Sequence, residues 1–365
     1  MFSTAAEYQA KGNAEVVSRL KEDSNLNDAG ETFAYRGGMN PGESMDSNEI
    51  ERRREFVSRA GWLNATIKPL TGDASARRYF RLTRGNQTAI LMDASQNLES
   101  VPPFISIDEH LRQLGFRAPE ILARDPAKGL LLLEDLGDNT FARLLEAGHD
   151  PEELYRNATD VLIALHRIAG AIPAGLRSYD PEKMLADIEL FLEWRTPGLA
   201  EAAKEEFRAA WREVLPLAHR VPASLLLRDF HVANLMLIPD RTGILQTGLL
   251  DFQDAYAGPI TYDLISLLED ARRDLSEAVA DKMLAHYLEQ FPDLERNQFA
   301  VSRAILAAQR HTRVLAIFER LSRRDAKHAY KELHSPRVER RLQNALRHPI
   351  LARVKRWMDQ YARTN

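Results

Sequence analysis

Short runs of alternating apolar and polar residues dominate one part of the chain, between residues 66 and 134. Three β-favouring runs, at 66–70, 78–83 and 88–92, are separated by Gly-Asp and Gly-Asn turn signals. Such a pattern predicts a meander of antiparallel strands joined by tight turns. The segment EILARDPAKGLLLLEDLG predicts two further strands, joined at residues 125–129.

Apolar residues recur at three- and four-residue intervals over most of the remaining chain, which is typical of amphipathic helices. PPFISIDEHLRQLGF predicts one helix between the strands, and SNEIERRREFVSRAGW predicts another before them. After Gly137 the pattern is mainly helical as far as Tyr361, interrupted by short strands and loops at 225–255. These elements predict an α+β fold with a small lobe of about five antiparallel strands plus one helix, followed by a large, mainly helical lobe.

Residues 1–46 are rich in Ser, Asn, Gly, Glu and Met and show little periodicity, which predicts a disordered extension. We expect the small lobe at 47–136 and the helical lobe at 137–365. The N-terminal segment lacks the pattern of a signal peptide, and the most apolar stretch, GLLLLEDL, is too short to span a bilayer. These features predict a cytoplasmic protein with no membrane partner.

Composition and charge exclude several classes of function. The 365 residues include 49 Lys and Arg against 53 Asp and Glu, a formal net charge of −4, so no overall basic field attracts nucleic acid. The chain has no cysteine, which excludes disulfides, thiolate metal sites and cysteine nucleophiles. The partner we expect is a small molecule. Nothing in the pattern indicates the oligomeric state.

Ionisable residues interrupt the apolar runs of the segment LLLRDFHVANLMLIPDRTGILQTGLLDFQDA. Asp229 and Asn234 are five positions apart on a predicted loop, and Asp251 ends the apolar run that follows. Phosphoryl transfer from a nucleotide requires a carboxylate near the acceptor hydroxyl and oxygen ligands for Mg²⁺. The spacing matches a kinase catalytic loop and the Asp that follows it. The alternative is a buried polar network that braces a hairpin.

This loop, the order of the lobes and the segment GLLDFQDAYAGPITYDLISLLED resemble the aminoglycoside phosphotransferase/choline kinase superfamily, a bilobal fold related to protein kinases. Together with LTGDASARRYFRL and RVLAIFERLSRRDAKHAY, they look most similar to the bacterial N-acetylmuramate/N-acetylglucosamine anomeric sugar kinases. The resemblance covers roughly residues 50–362. It implies a kinase that uses ATP and Mg²⁺ to phosphorylate the anomeric hydroxyl of an amino sugar, in cell-wall sugar recycling.

The resemblance also implies a role for each polar residue of the loop. Asp229 would be the catalytic base or would orient the acceptor hydroxyl, and Asn234 and Asp251 would ligate Mg²⁺. His231 would face the acceptor or support the loop. Asp263, in TYDL, would brace the catalytic loop through hydrogen bonds.

The nucleotide would lie along the small lobe, by the same resemblance. The turn TGDASARR would cover the phosphates, with Ser75 and backbone N–H groups as donors. Backbone groups of Glu134 to Leu136 would bind the edge of the adenine.

Two residues of the superfamily pattern are missing, and one of them, the His two positions before the catalytic Asp, is Leu227 here. The phosphate-binding Lys would lie on the third strand, where this chain has Met92. We expect Arg77 or Arg78 to supply the positive charge instead, paired with Glu109 on the helix of the small lobe.

Two other functions remain open at the level of sequence. An aminoglycoside or choline-type kinase would require an acidic pocket for a cationic acceptor. A nucleotide-binding pseudokinase that acts as an interaction module would explain the missing Lys, although the retained acids and amide argue against it.

Overall fold

The computed structural model describes residues 47–70 and 77–362. Its first part is a five-stranded antiparallel sheet in the order β1-β2-β3-β5-β4. The strands are β1 (Thr66–Leu70), β2 (Arg78–Arg84), β3 (Gln87–Asp93), β4 (Ile121–Asp125) and β5 (Leu130–Glu134). The predicted α+β fold with a five-stranded lobe is confirmed. The predicted N-terminal extension lies outside the described residues.

Helices cover both faces of this sheet, which explains the four consecutive leucines of β5. Side chains of a strand alternate between its two faces. Leu130 and Leu132 pack with residues of helix α1 (Ser47–Arg59) in one apolar cluster. Leu131 and Leu133 join the main core on the side of helix α2 (Val101–Gln113). The run of leucines therefore marks a strand that is buried on both faces.

The second part of the molecule is mainly helical. Its helices are α3 (Phe141–Glu146), α4 (Pro151–Arg167), α5 (Pro181–Trp194), α6 (Glu201–Val214), α7 (Thr261–Leu268), α8 (Glu277–Glu289), α9 (Arg296–Asp325), α10 (His328–Ala345) and α11 (Ala352–Tyr361). The 30-residue helix α9 packs against α5 and α10 and forms the centre of this lobe. Among the described residues, none of the helices has an apolar run that would cross a bilayer.

Two short antiparallel strand pairs lie between α6 and α7 in the sequence. These strands are β6 (Ala223–Leu226), paired with β9 (Tyr256–Pro259), and β7 (Leu235–Leu237), paired with β8 (Thr247–Leu249). The Leu249 N–H donates to the carbonyl of Arg117 in the small lobe (2.8 Å), and the Leu237 N–H donates to the carbonyl of Asn139 (2.8 Å). The β7–β8 hairpin is thereby fixed at the junction of the two lobes.

The predicted lobe boundary at residue 137 falls between β5 and α3. Residues 45–365 form one compact unit, so this boundary stays a prediction.

Candidate active site

Asp263, at the start of α7, holds the loop that follows β6. Its carboxylate is fully buried and accepts the backbone N–H of Leu227 (2.6 Å) and of Arg228 (2.9 Å). Burial raises the pKa of Asp263 to about 7, although the two N–H donors oppose that shift. The carboxylate thus fixes the backbone immediately before Asp229.

Arg228 adopts a strained backbone conformation and is held by its side chain. Its φ is +65°, in the left-handed region that costs energy for any residue other than glycine. The guanidinium donates to Asp187 (2.8 Å) and lies over the rings of Tyr179 (4.7 Å to the centroid) and Tyr256 (5.0 Å). These contacts stabilise the strained turn and so the orientation of Asp229.

Asp229 is half-buried and surrounded by positive charge. Burial disfavours its ionisation, but the His231 ring in its protonated form and the cations Arg313 and Arg310 outweigh that effect and hold the pKa of Asp229 below its ordinary value. The carboxylate is therefore ionised at neutral pH, as a group that accepts a proton or a hydrogen bond from a hydroxyl must be.

His231 is buried within the same loop. Its Nε2 lies 3.1 Å from Nη1 of Arg272 and 3.4 Å from the amide nitrogen of Asn234, and both of these atoms are donors. Burial lowers the pKa of His231. A neutral imidazole that accepts at Nε2 fits these contacts, which support the loop. Its role towards the acceptor stays a prediction.

Asn234 connects the loop to Asp251. Its amide nitrogen donates to the backbone carbonyl of Asp229 (2.9 Å) and lies 3.4 Å from Oδ2 of Asp251. Asp251 directly follows the β7–β8 hairpin and has a φ of +59°. The structure therefore places the Asn234 side chain in contact with the backbone of Asp229 and with the carboxylate of Asp251.

Arg77 reaches this group from the small lobe. Its Nη2 lies 2.6 Å from Oδ1 of Asp251, and the side chain of Arg77 is largely buried. Of the two arginines proposed to replace the missing Lys, Arg77 is the one whose side chain contacts the predicted metal ligands.

The predicted pairing of Glu109 with one of these arginines is wrong. Glu109 pairs with Arg124 at the surface (2.8 Å), and Arg78 pairs with Glu49 on α1 (2.7 Å). The physical reason is the orientation of α2, which buries the neighbouring Asp108 and leaves Glu109 partly exposed.

Residues 66–300 match the sequence pattern of one protein family, the Phosphotransferase enzyme family. The chain belongs to this family. The matched segment begins at β1, contains Arg77, Asp229, Asn234, Asp251 and Asp263 and ends in the first turns of α9.

Curated relatives extend the similarity over most of the chain. An N-acetylmuramate/N-acetylglucosamine kinase of Caulobacter vibrioides is 34% identical over 358 residues, which cover 87% of this chain and 98% of the relative. A kinase of the same name from Pseudomonas aeruginosa is 34% identical over 306 residues, 80% of this chain and 87% of the relative.

Solved structures with the same fold are more distant in sequence. A choline kinase from Streptococcus pneumoniae superposes with a TM-score of 0.57 at 15% identity, over 84% of this chain and 99% of that one. The GDP complex of aminoglycoside 2'-phosphotransferase-IIIa superposes with a TM-score of 0.58 at 14% identity, over 81% of this chain and 99% of that one. At these identities the likeness establishes the fold of this phosphotransferase and nothing further.

The hinge between the lobes of this phosphotransferase contains the predicted adenine contacts. The Glu134 N–H donates to the carbonyl of Glu120 (2.8 Å) and is therefore already engaged. The Glu134 carboxylate pairs with Arg117 at 2.5 Å, which holds the pKa of Glu134 below its usual range. Ser75, the predicted phosphate contact, lies outside the described residues.

Leu136 packs against the hairpin that carries the site. A Cβ on Gly248 of β8 would lie 3.0 Å from Cδ1 of Leu136 and 3.1 Å from Cβ of Met236. A side chain at position 248 would therefore displace Leu136. The hinge therefore packs directly on the β7–β8 hairpin, where the absence of a side chain at Gly248 leaves room for Leu136.

Sequence reasoning missed two residues that hold the loop of this phosphotransferase. Arg228 directly precedes Asp229, and its contacts are made by residues that are distant in the sequence. The sequence contains one signal for Asp187, which is a carboxylate on the apolar face of α5, between the buried Met184 and Ile188. An acid at such a position requires a partner, although the sequence does not identify it.

Proposed function

We propose that this phosphotransferase is an amino-sugar kinase that transfers the γ-phosphoryl group of ATP to the anomeric hydroxyl of N-acetylmuramate or N-acetylglucosamine. The observation that carries the proposal is the position of Asn234, whose amide contacts both the Asp229 backbone and the Asp251 carboxylate. The two acceptor sugars in the proposal are those in the name of the curated relatives, the N-acetylmuramate/N-acetylglucosamine kinases, which are 34% identical to the chain.

Asp229 is the residue proposed to act on the acceptor. A lowered pKa keeps its carboxylate ionised, so it accepts a hydrogen bond from the hydroxyl and orients the oxygen for in-line attack on the phosphorus. Asp263 and Arg228 are positioning residues, because they act on the backbone of the loop rather than on the substrate.

Asn234 and Asp251 are proposed to hold Mg²⁺. Within residues 47–70 and 77–362 no group of three His, Cys, Asp or Glu side chains is arranged for a metal ion. Mg²⁺ in kinases commonly takes one or two protein carboxylates or amides and completes its shell with phosphate oxygens and water. Asn234 and Asp251 each have an oxygen that could ligate the ion, and their side chains are neighbours, with the Asn234 amide nitrogen 3.4 Å from Oδ2 of Asp251. When bound, the ion supplies charge neutralisation for the phosphates.

Family membership implies use of a nucleotide, and we propose ATP. Leu136 and the β7–β8 hairpin offer an apolar surface to the base. Arg77 is the proposed phosphate contact, because its guanidinium already lies at Asp251, where the phosphates would meet the metal ion. Ser75 is proposed to assist it.

A coupled assay of ADP release tests the proposal. The wild-type protein should turn over N-acetylmuramate and N-acetylglucosamine, and Asp229→Asn should lower kcat by a factor of at least about 10³, because positioning and acid–base catalysis together contribute that much. Asp240→Asn, in the exposed turn between β7 and β8, is the matched control and should keep wild-type activity. Full activity of Asp229→Asn would refute the assignment.

The same assay with kanamycin and choline tests the other candidate acceptors. Cationic acceptors need acidic surroundings, whereas the cations Arg310 and Arg313 lie near Asp229. We therefore expect no turnover of either compound. Turnover of a cationic acceptor without turnover of an amino sugar would replace the proposed function with that of an aminoglycoside or amino-alcohol kinase.

A further inference from the structure

Four cations surround one tyrosine and one carboxylate next to the catalytic loop. We call them the basic cluster, and its members are Arg177, Lys183, Arg228 and Arg313. Three of them lie over the ring of Tyr256, at 5.0 Å for Arg177, 6.0 Å for Lys183 and 5.0 Å for Arg228, measured to the centroid. The fourth, Arg313, approaches from α9 and lies 3.5 Å from Asp187.

The basic cluster has more positive charge than its surroundings neutralise. Among the described residues, Asp187 is the sole carboxylate in ion-pair contact with these cations. Arg228 makes a buried hydrogen bond to it (2.8 Å), and Lys183 contacts its other oxygen. Asp187 and the neighbouring ionised Asp229 supply two negative charges against the four positive charges of the cluster, so a surplus of positive charge remains.

The surplus charge is on the solvent side of the cluster. The side chain of Arg228 is 6% exposed, whereas those of Arg313 and Lys183 are 26% and 36% exposed. Within the part of the chain that the structure describes, Arg313 donates no hydrogen bond, since its contact with Asp187 at 3.5 Å has ion-pair rather than hydrogen-bond geometry. Its guanidinium is therefore available to an anion.

Arg313 is also close to the reacting centre. Arg313 and Arg228, the residue that directly precedes Asp229, contact the same oxygen of Asp187, at 3.5 Å and 2.8 Å, so Arg313 lies beside the turn that holds Asp229. A substrate whose hydroxyl is held by Asp229 would therefore place its other groups within reach of the basic cluster. Lys183 and Arg313 lie on α5 and α9 of the helical lobe, whereas Arg77, the proposed phosphate contact, belongs to the small lobe.

We propose that Arg313 and Lys183 form a subsite for a carboxylate on the acceptor, with Arg313 as the main determinant of specificity. The proposal rests on the function proposed above and deepens it. N-acetylmuramate has a lactyl carboxylate, which N-acetylglucosamine lacks, so the two sugars differ in the group that this subsite recognises. Guanidinium groups bind carboxylates with strong, often bidentate hydrogen bonds.

Kinetics of both sugars with Arg313→Gln test the subsite. We expect kcat/KM for N-acetylmuramate to fall by about 10-fold or more, because a charge-assisted hydrogen bond is lost, and kcat/KM for N-acetylglucosamine to stay within about 2-fold of wild type. Lys183→Gln should show the same selectivity with a smaller loss, and Arg313→Lys should recover part of the activity. Arg324→Gln, at the exposed end of the same helix, is the matched control.

The outcomes separate the two proposals. If the wild-type protein phosphorylates neither sugar, the proposed function fails and the subsite fails with it. If wild type phosphorylates both sugars but Arg313→Gln changes their kcat/KM values equally, or changes neither, the subsite alone is overturned. The melting temperature of each variant is measured as well. If it is close to that of wild type, a loss of kcat/KM for both sugars is not caused by unfolding.

Discussion

Asp263 and Asp108 are both fully buried carboxylates, but only one of them has hydrogen-bond donors. Both oxygens of Asp263 accept backbone N–H groups, whereas neither oxygen of Asp108 has a partner among the described residues. Burial raises the pKa of each to about 7. The same cause, burial, therefore acts in two settings, one at a brace of the catalytic loop and one at an isolated group of the core.

Asp263→Asn should weaken both the fold and the catalytic loop. An amide has one acceptor oxygen, so its NH₂ group would face a backbone N–H that then lacks a partner. We expect a loss of about 1–3 kcal/mol in the free energy of unfolding and a fall of at least about 10-fold in kcat, measured by urea denaturation and by ADP release. If stability falls while kcat per folded molecule is unchanged, the brace has no part in positioning Asp229.

Because the pKa of Asp108 is raised in the folded state, we expect the stability of the protein to depend on pH. Its carboxyl has a pKa of about 7 in the folded state and 3.8 as a model group, so between these values the folded chain binds one more proton than the unfolded chain. The free energy of unfolding should therefore decrease as the pH rises from about 4 to 7, by at most about 4 kcal/mol, and show no further loss from this group above that range.

Asp108→Asn should remove this contribution and be more stable than wild type at pH 8. Urea denaturation at pH 5 and pH 8 measures the difference between the two proteins. Glu109→Gln, at the adjacent and partly exposed position, is the control and should follow the wild-type curve. Parallel curves for Asp108→Asn and wild type would show that the Asp108 carboxyl is not the group responsible.

At the scale of elements, α1 is attached to the sheet by a buried ion pair. Arg53 donates to Asp93 at the end of β3 (2.7 Å), with side chains that are 4% and 2% exposed, and lies 4.5 Å above the ring of Phe80. Arg52 adds a second contact to Asp93 (3.1 Å). Burial disfavours ionisation of Asp93, but the hydrogen bonds of Arg53 and Ser95 lower its pKa overall.

Asp93→Asn should therefore destabilise the small lobe by about 3 kcal/mol, since the buried Arg53 guanidinium loses its most buried carboxylate and keeps the pair with Glu49 on its own helix. Denaturant unfolding measures the change. Glu55→Gln, on the same helix, removes only a surface pair with Lys128 and should have almost no effect. Equal effects of the two substitutions would indicate that α1 does not depend on the buried pair.

The sequence predicts elements well where the signal is local. Turn residues placed the ends of β1 to β5 within one or two positions, because Gly, Asn, Asp and Pro determine the backbone there directly. The full extent of α9 was less clear from the pattern of apolar residues. It begins after Glu295, whose carboxylate caps the helix, and ends at Ala326 in the left-handed conformation, which no glycine marks in the sequence.

The residues of the candidate site, too, were predictable from the sequence only where the signal is local. The spacing of Asp229, Asn234 and Asp251 is visible because one loop and one hairpin contain all three. The contacts of Asp187 and Arg313 could not be predicted, because α5 and α9 lie far from the loop in the sequence and only the tertiary fold brings them together. The pairing of Glu109 was predicted wrongly since it depends on the rotation of α2 about its own axis.

At the scale of the whole molecule, one ion pair connects the two lobes through the site. Arg77 precedes β2 in the small lobe and contacts Asp251, 174 residues later, in the helical lobe. Asp251 is also the proposed ligand of Mg²⁺. A nucleotide with Mg²⁺ would therefore bind where the lobes already meet, and its binding should stabilise the molecule as a unit.

Thermal unfolding with ADP measures this coupling without turnover. A ligand that binds only the folded state raises the melting temperature as its concentration exceeds Kd. We expect ADP with MgCl₂ to raise the melting temperature by several degrees and ADP with EDTA to raise it clearly less. In Asp251→Asn the difference between MgCl₂ and EDTA should largely vanish, because one of the two proposed metal ligands has lost its charge, while the effect of ADP alone remains.

Asp240→Asn is the control for the loss of one carboxylate from the same hairpin region and should keep the full response to Mg²⁺. If Asp251→Asn also keeps it, the metal ion is held elsewhere, and the contact between Asn234 and Asp251 is only a brace of the hairpin. If the response is lost only in Asp251→Asn, the acid that Arg77 contacts is also the one that binds the metal ion. Nucleotide binding would then be coupled to the contact between the lobes through a single carboxylate.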